Sequence, residues 1–445
     1  MTNRELAIRI IRRLRRRGHE ALLAGGCVRD RLLGKRPKDY DVATSAPPDE
    51  IRSLFRKTLA IGAQFGVVVV LEGGARVEVA TFRSDDAYTD GRHPTGVRFT
   101  TAEEDARRRD FTINALFHDP LRRETIDYVG GRRDLERGLV RAVGDAEQRF
   151  REDHLRMLRA VRFAARLGFR LGPATRRAIR KLAPLVTKTS GERIRDELAI
   201  MLTDASRAEA VRLADALGLL EAILPEATAM KGCRQGRRSH PEGDVWRHTL
   251  RCLEALGRPT FITALAVLLH DIGKPPTADY SGGEVHFYRH AQVGAEMAST
   301  IAGRLRLSAA QKEELTWVVR HHLDFMHARE MRPATLKRLF QSRHFPTLAE
   351  VHRADLVGSC CSTADHRYVM RARRRMSAEE MRPAPFVTGH DVLALGLAAG
   401  PAVGRVLRAL YDEQLDGALG TRRQALARAR RLVREENQRQ RCNGA

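Results

Sequence analysis

The pattern of apolar and polar positions divides the chain into two parts. Between Ala21 and about Gly144, short Val-rich runs such as "FGVVVVLE", "RVEVATF" and "GVRFT" are bounded by Gly, Pro or Asp, which predicts short strands joined by turns. From Asp145 onward, apolar residues recur at helical spacing, as in "AEQRFREDHLRMLRAVRFAARLGF". We therefore predict an α+β protein, with a small mixed sheet and helices in the first third and a mostly helical remainder.

Two polar stretches indicate where the helical part is divided. The Gly-containing segment "KGCRQGRRSHPEGD" (231–244) is a candidate linker, and the Arg and Pro stretch "RARRRMSAEEMRPAPF" marks a second boundary. The predicted segments are a head (1–145), a helical neck (146–230), a third domain (231–370) and a helical C-terminal region (371–445).

The charge of the chain favours a polyanionic partner. Its 445 residues include 79 Lys and Arg against 55 Asp and Glu, a formal net charge of +24, which makes nucleic acid the leading candidate. The six cysteines show no CxxC spacing, so we expect reduced thiols. The basic N-terminal segment predicts an amphipathic helix without a long apolar run, so we expect a cytoplasmic protein with no membrane contact. The Arg-rich C-terminal helix fits either a solvated surface or an RNA-facing strip.

Two alternating aspartates in "KDYDV" suggest a metal site. Along a strand Asp39 and Asp41 project to the same side, and their mutual repulsion requires a neutralising charge. A pair of Mg²⁺ ions about 4 Å apart supplies that charge and supports nucleotidyl transfer. Glu78 in "RVEVATF" is positioned to be a third carboxylate. The alternative is that the two aspartates belong to an exposed turn.

A glycine pair lies just upstream of these aspartates. Gly25 and Gly26 end a predicted strand before a predicted helix, where backbone N–H groups can approach a triphosphate closely. Arg29 falls in the first turn of that helix. The combination GG-x-VRD-x-LLG-x(4)-DYD is more specific than any of its parts.

Four motifs in order carry a resemblance to a known family. "GGCVRDRLLGKRPKDYDVATSAPPDEI", "RRRDFTINAL", "DYVGGRRDL" and "EDHLRMLRAVRFAARLGF" resemble motifs of class II tRNA nucleotidyltransferases, which comprise the CCA-adding enzymes and bacterial poly(A) polymerases. The resemblance covers about Ala21 to Pro225 and implies a DNA polymerase beta-like head acting on tRNA with CTP and ATP. It further implies that Asp39 and Asp41 hold Mg²⁺ and that the nucleotide is bound by these residues: Gly25, Gly26, Arg29, Arg109, Asp110 and Asn114.

The segment "EDHLR" suggests how a base is chosen. We expect Asp153 and Arg156 to share one face of a helix. A carboxylate only accepts hydrogen bonds and a guanidinium only donates them, so this pair matches the amino group and ring nitrogen of cytosine or adenine. Uracil and guanine would leave two buried groups without a matching hydrogen-bond partner, and each would cost about 1–3 kcal/mol of binding free energy. Arg159 and Arg162 follow on the same helix and are expected to reach phosphates. Elsewhere such a spacing is an ordinary surface ion pair.

Two local features favour CCA addition over poly(A) synthesis. "IGAQFGVVVV" (61–70) resembles the CCA-type sequence and lacks the basic stretch of the poly(A) polymerases. "DDAYTDGRHPTGV" (85–97) resembles the flexible loop of CCA- and A-adding enzymes. Both arguments rest on resemblance, and the alternatives are an A-adding enzyme or a poly(A) polymerase.

A second constellation follows residue 231. "EGDVWRHTL", "ALAVLLHDIGKPPT", "FYRHAQVGAEMA", "VVRHHLDF" and "HRADLVG" resemble the HD phosphohydrolase domain. The resemblance assigns one divalent metal to His248, His270, Asp271 and Asp355, and a second to Asp271 with His290, His321 and His322. Imidazole and carboxylate ligands favour Mn, Fe, Co or Ni over Mg, and the expected chemistry is phosphoester hydrolysis. A structural HD domain is one alternative, and a protein that is mainly an RNA 2′,3′-cyclic phosphate hydrolase is another. The oligomeric state is not specified by these motifs.

Overall fold

A mixed sheet of seven strands lies at the centre of the N-terminal part of the chain in the computed structural model, which describes residues 1–59, 66–85, 96–236, 243–281 and 285–443. The described residues form two units, one of residues 1–229 with 303–307 and one of residues 230–302 with 308–445. The four predicted segments are a finer division and stay a prediction.

The strands of the first unit are short, and those at 67–72, 75–81 and 97–99 overlap the Val-rich runs that predicted them. In chain order they are β1 (Ala21–Ala24), β2 (Asp41–Thr44), β3 (Thr58–Leu59), β4 (Val67–Glu72), β5 (Ala75–Thr81), β6 (Arg83–Asp85), β7 (Val97–Phe99), β8 (Phe117–Asp119), β9 (Glu124–Ile126), β10 (Leu139–Val140) and β11 (Arg170–Leu171). The seven-stranded sheet has the order β3-β4-β5-β2-β1-β8-β9, in which β2 pairs in parallel with β5 and antiparallel with β1. The run "GVRFT" forms β7, which pairs with β6 in a separate two-stranded sheet.

Helices surround this sheet and dominate after it. Those of the first unit are α1 (Asn3–Arg16), α2 (Gly26–Leu32), α3 (Pro48–Leu54), α4 (Ala102–Arg108), α5 (Gly131–Glu136), α6 (Ala146–Glu152), α7 (Leu155–Leu167), α8 (Pro173–Leu182), α9 (Gly191–Thr203), α10 (Arg207–Ala216), α11 (Leu219–Ile223) and α12 (Pro225–Thr228). Short 3-10 helices cover Thr112–Asn114 and Ala183–Lys188.

In the part of the second unit that the structure describes, helices dominate and two short strands form a small hairpin. Its strands are β12 (Ala278–Asp279) and β13 (His286–Phe287). Its helices are α13 (Val245–Ala255), α14 (Phe261–Leu269), α15 (Lys274–Thr277), α16 (His290–Arg304), α17 (Ala309–His321), α18 (Pro333–Gln341), α19 (Phe345–Gly358), α20 (Ala364–Arg375), α21 (Ala378–Met381), α22 (Gly389–Ala394), α23 (Pro401–Leu415) and α24 (Arg422–Asn443), with a 3-10 helix at Asp324–His327. The predicted α+β class, with a helix-rich remainder, is confirmed.

Helix α1 shows how the sequence pattern produces this architecture. Thr2 and Glu5 form a capping box at its start, which satisfies two backbone N–H groups. Leu6, Ile10 and Leu14 recur at helical spacing and are fully buried, each contributing about 1.5–3 kcal/mol. The helix contacts β1, β2 and β5 and leaves Arg4, Arg12 and Arg16 exposed, so it supports the strands beside the aspartates.

Candidate active site and metal centre

Three carboxylates meet at one cavity of the first unit. Asp41 begins β2 and lies directly opposite Glu78 of the parallel strand β5, while Asp39 precedes it by two residues. All three line a cavity of about 760 Å³. Burial and the neighbouring Glu78 raise the pKa of Asp41 to about 6, against the opposing effect of Arg109. A divalent cation stabilises neighbouring carboxylates in their ionised form, so Asp39, Asp41 and Glu78 are the candidate Mg²⁺ ligands of this cavity.

The glycine pair forms the turn between β1 and α2 beside these carboxylates. Gly25 has a φ of +72°, and its N–H donates to the Leu116 carbonyl at 3.1 Å. A Cβ built on Gly25 would lie 3.2 Å from Nη1 of Arg109, and an L side chain would be strained at this φ. Gly26 is the first residue of α2. The turn therefore forms part of the cavity wall and leaves room for Arg109.

A chain of hydrogen bonds orients the polar side chains on the cavity wall. The buried Arg29 donates from Nη1 to Oδ1 of Asn114 at 2.6 Å, and Nδ2 of Asn114 donates to Oδ1 of Asp110 at 3.1 Å. Asp110 in turn accepts from Nη2 of Arg159 at 2.7 Å. Burial raises the pKa of Asp110, but the Arg159 guanidinium outweighs this effect and holds that pKa below its usual range. Residues from α2, α7 and the segment between them are thus held as one network.

Arg109 is fixed by contacts of its own. Its Nη2 donates to Oδ2 of Asp105 at 2.9 Å and its Nη1 donates to the Asn114 carbonyl at 3.2 Å. The guanidinium also lies 4.9 Å from the centre of the Phe117 ring, a cation–π distance. Arg109 is therefore held against the cavity beside Asp41.

The prediction that one helix carries both Asp153 and Arg156 is wrong. Helix α6 ends at Glu152 and α7 begins at Leu155. Asp153 has an extended backbone there, because its Oδ1 accepts the Leu155 N–H at 3.1 Å, a local bond that competes with helix continuation. Both side chains nevertheless line the same cavity.

Asp153 and Arg156 form hydrogen bonds with other residues and not with each other. Asp153 accepts two bonds from Arg193 of α9, at 3.0 and 2.9 Å. Arg156 donates to Oε2 of Glu152 at 2.8 Å and to the Arg149 carbonyl at 3.1 Å. Arg193 was missed by the sequence analysis, since a contact between residues forty positions apart has no local signal.

The remaining predicted nucleotide-binding residues also lie on α7. Arg159 and Arg162 line the cavity, and Arg162 is paired with the buried Glu197. The Arg162 guanidinium lies 4.3 Å from the centre of the Phe163 ring. The structure thus brings all ten predicted nucleotide-binding residues and the three carboxylates to one cavity.

A second group of ligand-type side chains lies in the second unit. His248 of α13 places its Nε2 3.0 Å from Oδ1 of Asp355 on α19 and 3.2 Å from Nε2 of His270. Oδ2 of Asp271 is 3.3 Å from Nε2 of His270. The histidines are buried, and His270 points its Nδ1 at the Val267 carbonyl, which directs Nε2 inward as in metal-bound imidazoles.

Asp271 connects this group to a further pair of histidines. Its Oδ1 lies 3.6 Å from Nε2 of His290 and 3.6 Å from Nε2 of His322. Both of these nitrogens are buried without a hydrogen-bond partner among the described residues. Burial lowers the pKa of His290 to about 4, which leaves the imidazole neutral and able to bind a metal. Against the effect of burial, His270 and Lys274 hold the pKa of Asp271 well below its usual range. These side chains fit two divalent metals sharing Asp271.

His321 is the predicted ligand that the structure does not bring to this group. Its Nδ1 lies 2.7 Å from Oδ2 of Asp324, and its ring packs at 4.5 Å on Trp317. Adjacent residues at the end of a helix point about 100° apart, so His322 faces the cluster and His321 does not. Cys252, which the sequence analysis missed, lies within the cluster instead: its Sγ is 3.3 Å from Nε2 of His248.

Three sequence features fall partly on residues outside the described ones. In segment 61–70, residues 61–65 lie outside the described part of the chain. The same holds for residues 86–95 of the loop 85–97 and for residues 237–242 of the linker 231–244. Among the helices of the described residues, none combines the length and the apolar character needed to cross a bilayer.

Comparisons with known proteins relate both parts of the chain to known families. Three family models match: "Poly A polymerase head domain" over residues 21–141, "Probable RNA and SrmB- binding site of polymerase A" over 168–231, and "HD domain" over 244–357. The chain is 34% identical to the A-adding tRNA nucleotidyltransferase of Deinococcus radiodurans over 438 residues, covering 93% of this chain and 96% of that protein.

Other relatives match more closely over a shorter stretch. The CCA-adding enzyme of Geobacillus thermodenitrificans is 48% identical over 214 residues, which cover 48% of this chain and 53% of the relative. The match thus spans about half the length of such curated relatives. The solved structure of the Bacillus stearothermophilus CCA-adding enzyme in complex with CTP aligns with a TM-score of 0.70 and 29% identity, covering 99% of this chain and 98% of that one.

Proposed function

Because the chain belongs to the family of tRNA nucleotidyltransferases and bacterial poly(A) polymerases, we propose that it adds CCA to the 3′ end of tRNA from CTP and ATP. One observation carries the proposal: Asp39, Asp41 and Glu78 meet the glycine turn and the oriented arginines in a single cavity of about 760 Å³. That volume is in the range of small-molecule sites.

The carboxylates and the glycine turn have separate roles in this proposal. Asp39, Asp41 and Glu78 would hold Mg²⁺, which when bound neutralises charge on the reacting phosphate. The glycine turn at Gly25 and Gly26 and the guanidinium of Arg29, all of which line the cavity, bind the triphosphate. Because Arg29 is fixed by Asn114, it is oriented before the nucleotide enters, and orientation in advance reduces the cost of binding.

Base selection is assigned to Asp153 and Arg156. Each carboxylate oxygen accepts two hydrogen bonds, so Asp153 can accept from the amino group of cytosine or adenine while it remains bonded to Arg193. Arg156 donates to the ring nitrogen of either base. Arg109, Asp110, Arg159 and Arg162 surround the nucleotide. The same pair serves CTP and ATP because the two bases present the same order of donor and acceptor.

Addition of A alone is a second candidate. The Deinococcus radiodurans relative, which matches over 96% of its length, is an A-adding enzyme. The two functions are distinguished by supplying CTP or ATP to tRNA that lacks CCA and to tRNA that ends in CC. A CCA-adding enzyme uses CTP on the first and ATP on the second. An A-adding enzyme uses ATP on the second and leaves the first unextended by CTP.

We propose a phosphoester hydrolase activity for the second unit. One transition metal, such as Mn, Fe, Co or Ni, would be held by His248, His270, Asp271 and Asp355. A second metal would be held by Asp271, His290 and His322. Such metals supply an activated water when bound. Lys274, whose Nζ is 2.7 Å from Oδ2 of Asp271, is positioned to contact a phosphate.

Phosphate release from 2′,3′-cyclic and terminal phosphates of RNA tests this second activity. We expect His270→Ala to abolish it and His321→Ala, in a histidine outside both metal groups, to retain it. Equal loss in both variants, or no release by the wild-type chain with any of these metals, would contradict the proposal. The C-terminal region, including α24, is proposed to bind tRNA.

A further inference from the structure

A buried cysteine lies inside the metal cluster of the second unit. Cys252 follows His248 by four residues on α13, so the two side chains share one face of the helix. Its Sγ is 3.3 Å from Nε2 of His248 and 3.8 Å from Nδ1. The sulfur is therefore on the side of the imidazole that carries the ligand nitrogen. Ligand atoms of His248, Cys252, His270 and Asp355 all lie within 4.8 Å of one another.

The separations of these atoms fit coordination of a single ion. Metal–nitrogen and metal–oxygen distances near 2.1 Å and a metal–sulfur distance near 2.3 Å place neighbouring ligand atoms about 3–3.7 Å apart. The observed separations from Nε2 of His248 are 3.3 Å to Sγ of Cys252, 3.2 Å to Nε2 of His270 and 3.0 Å to Oδ1 of Asp355. All three lie in or at the edge of this range.

Packing around the sulfur maintains its position. Cys252 is fully buried, and Gly358 of α19 lies directly against it. A Cβ built on Gly358 would lie 2.5 Å from Sγ of Cys252 and 3.0 Å from its backbone nitrogen. Gly358 follows Asp355 by three residues on the same helix. The glycine thus allows α13 and α19 to approach closely enough for the thiol and the carboxylate to face one ion.

The same cluster contains unused ligand atoms that point to a metal. The Nε2 atoms of His290 and His322 are buried and lack a hydrogen-bond partner among the described residues. Unpaired buried polar atoms are costly, and a bound metal satisfies them. The thiol therefore lies close to buried ligand atoms that a metal would satisfy, and this observation does not depend on the position of the sulfur.

We propose that Cys252 is a further ligand of the metal that His248, His270, Asp271 and Asp355 would hold, giving that position a thiolate donor. The inference rests on the proposed metal centre of the second unit. Binding replaces the S–H bond by a sulfur–metal bond, and the proton is released to solvent. Since thiolate is a soft ligand, the site favours Zn²⁺, Co²⁺ or Ni²⁺ over Mn²⁺ and Mg²⁺.

Cobalt spectroscopy on the full-length protein tests the assignment. After removal of metals by a chelator, Co²⁺ is added and the near-ultraviolet spectrum is recorded for the sulfur-to-cobalt charge-transfer band. We expect the band in the wild-type chain, its loss in Cys252→Ser, and its retention when the exposed Cys360 and Cys361 are both replaced by Ser. The Cys252→Ser variant should bind Zn²⁺ about tenfold or more weakly, with a smaller change for Mn²⁺.

X-ray absorption of the Zn²⁺-loaded wild-type chain gives an answer that does not depend on how a variant folds. A sulfur neighbour at about 2.3 Å supports the assignment. A bound metal surrounded only by nitrogen and oxygen overturns it while leaving the proposed metal centre intact. Absence of any bound transition metal overturns both.

Discussion

Replacing Asp153 by Asn tests base selection most sharply, because it changes the hydrogen-bonding character of one side chain with almost no change in volume. Asp153 accepts two bonds from Arg193, at 3.0 and 2.9 Å, and all of its oxygens are acceptors. Asn has one acceptor oxygen and one donor NH₂ group. The variant therefore keeps one bond to Arg193 and can present a donor to the incoming base.

The expected effects on CTP and UTP are opposite. Exchanging a charged acceptor for a neutral one weakens the bond to the cytosine amino group by about 1–1.5 kcal/mol, so kcat/KM for CTP falls about tenfold. For UTP, the Asn NH₂ can donate to the base carbonyl. One of two mismatches, worth about 1–3 kcal/mol, is removed, while the mismatch at Arg156 remains. The preference for CTP over UTP thus falls by about two orders of magnitude.

Single-nucleotide incorporation into tRNA lacking CCA measures this preference as a ratio of kcat/KM values. The matched control is Arg193→Ala, which removes the partner of Asp153 but leaves the carboxylate. We expect the control to lower kcat/KM for both nucleotides without changing their ratio. An unchanged ratio in Asp153→Asn, or the same fall in both variants, would refute the assignment of Asp153 to the base.

Three further outcomes follow from the described contacts. Because the pKa of Asp41 is raised to about 6 in the folded chain, its ionisation opposes folding as pH rises from about 4 through 6. At pH 8, Asp41→Asn should therefore raise the Tm without Mg²⁺ and reduce the Mg²⁺-dependent Tm increase, and a lower Tm would contradict this. Gly273→Ala places a Cβ 2.1 Å from the His290 carbonyl and should lower the Tm and weaken transition-metal binding, whereas Gly303→Ala, with open space around it, should do neither. Glu197→Gln leaves the buried Arg162 without its charge partner and should lower the free energy of unfolding, measured in urea, by about 3 kcal/mol. In the control, Glu103→Gln breaks the exposed pair with Arg107 and should lower it by at most about 0.5 kcal/mol.

Local patterns were enough to predict the elements that carry the first site. Alternation in "DYDVAT" and "RVEVATF" predicted two strands, and the structure aligns Asp41 with Glu78 across them. The prediction that one strand carries both Asp39 and Asp41 is wrong, because β2 begins at Asp41; Asp39 lies before the strand and still lines the cavity.

Contacts between distant segments were not predictable in the same way. The bond between Asp153 and Arg193 joins two helical segments, and the break before α7 depends on a local bond from the Asp153 side chain that helical periodicity does not reveal. Cys252 had no signal as a metal-site residue, because its position depends on how closely α13 approaches α19 at Gly358. His321 lies outside the metal-ligand cluster because of the direction in which the end of α17 points. Two adjacent histidines in a sequence do not show which of them faces the cluster.

Incorporation of labelled CTP into tRNA lacking its 3′ CCA tests the central claim most directly. With Mg²⁺, the wild-type chain should extend this RNA with CTP, then with ATP, and not with UTP or GTP alone. Asp39→Ala should bind the same tRNA and extend nothing, because it lacks one of the three carboxylates at the cavity. Extension by Asp39→Ala at the wild-type rate, or no use of CTP by the wild-type chain, would contradict the account.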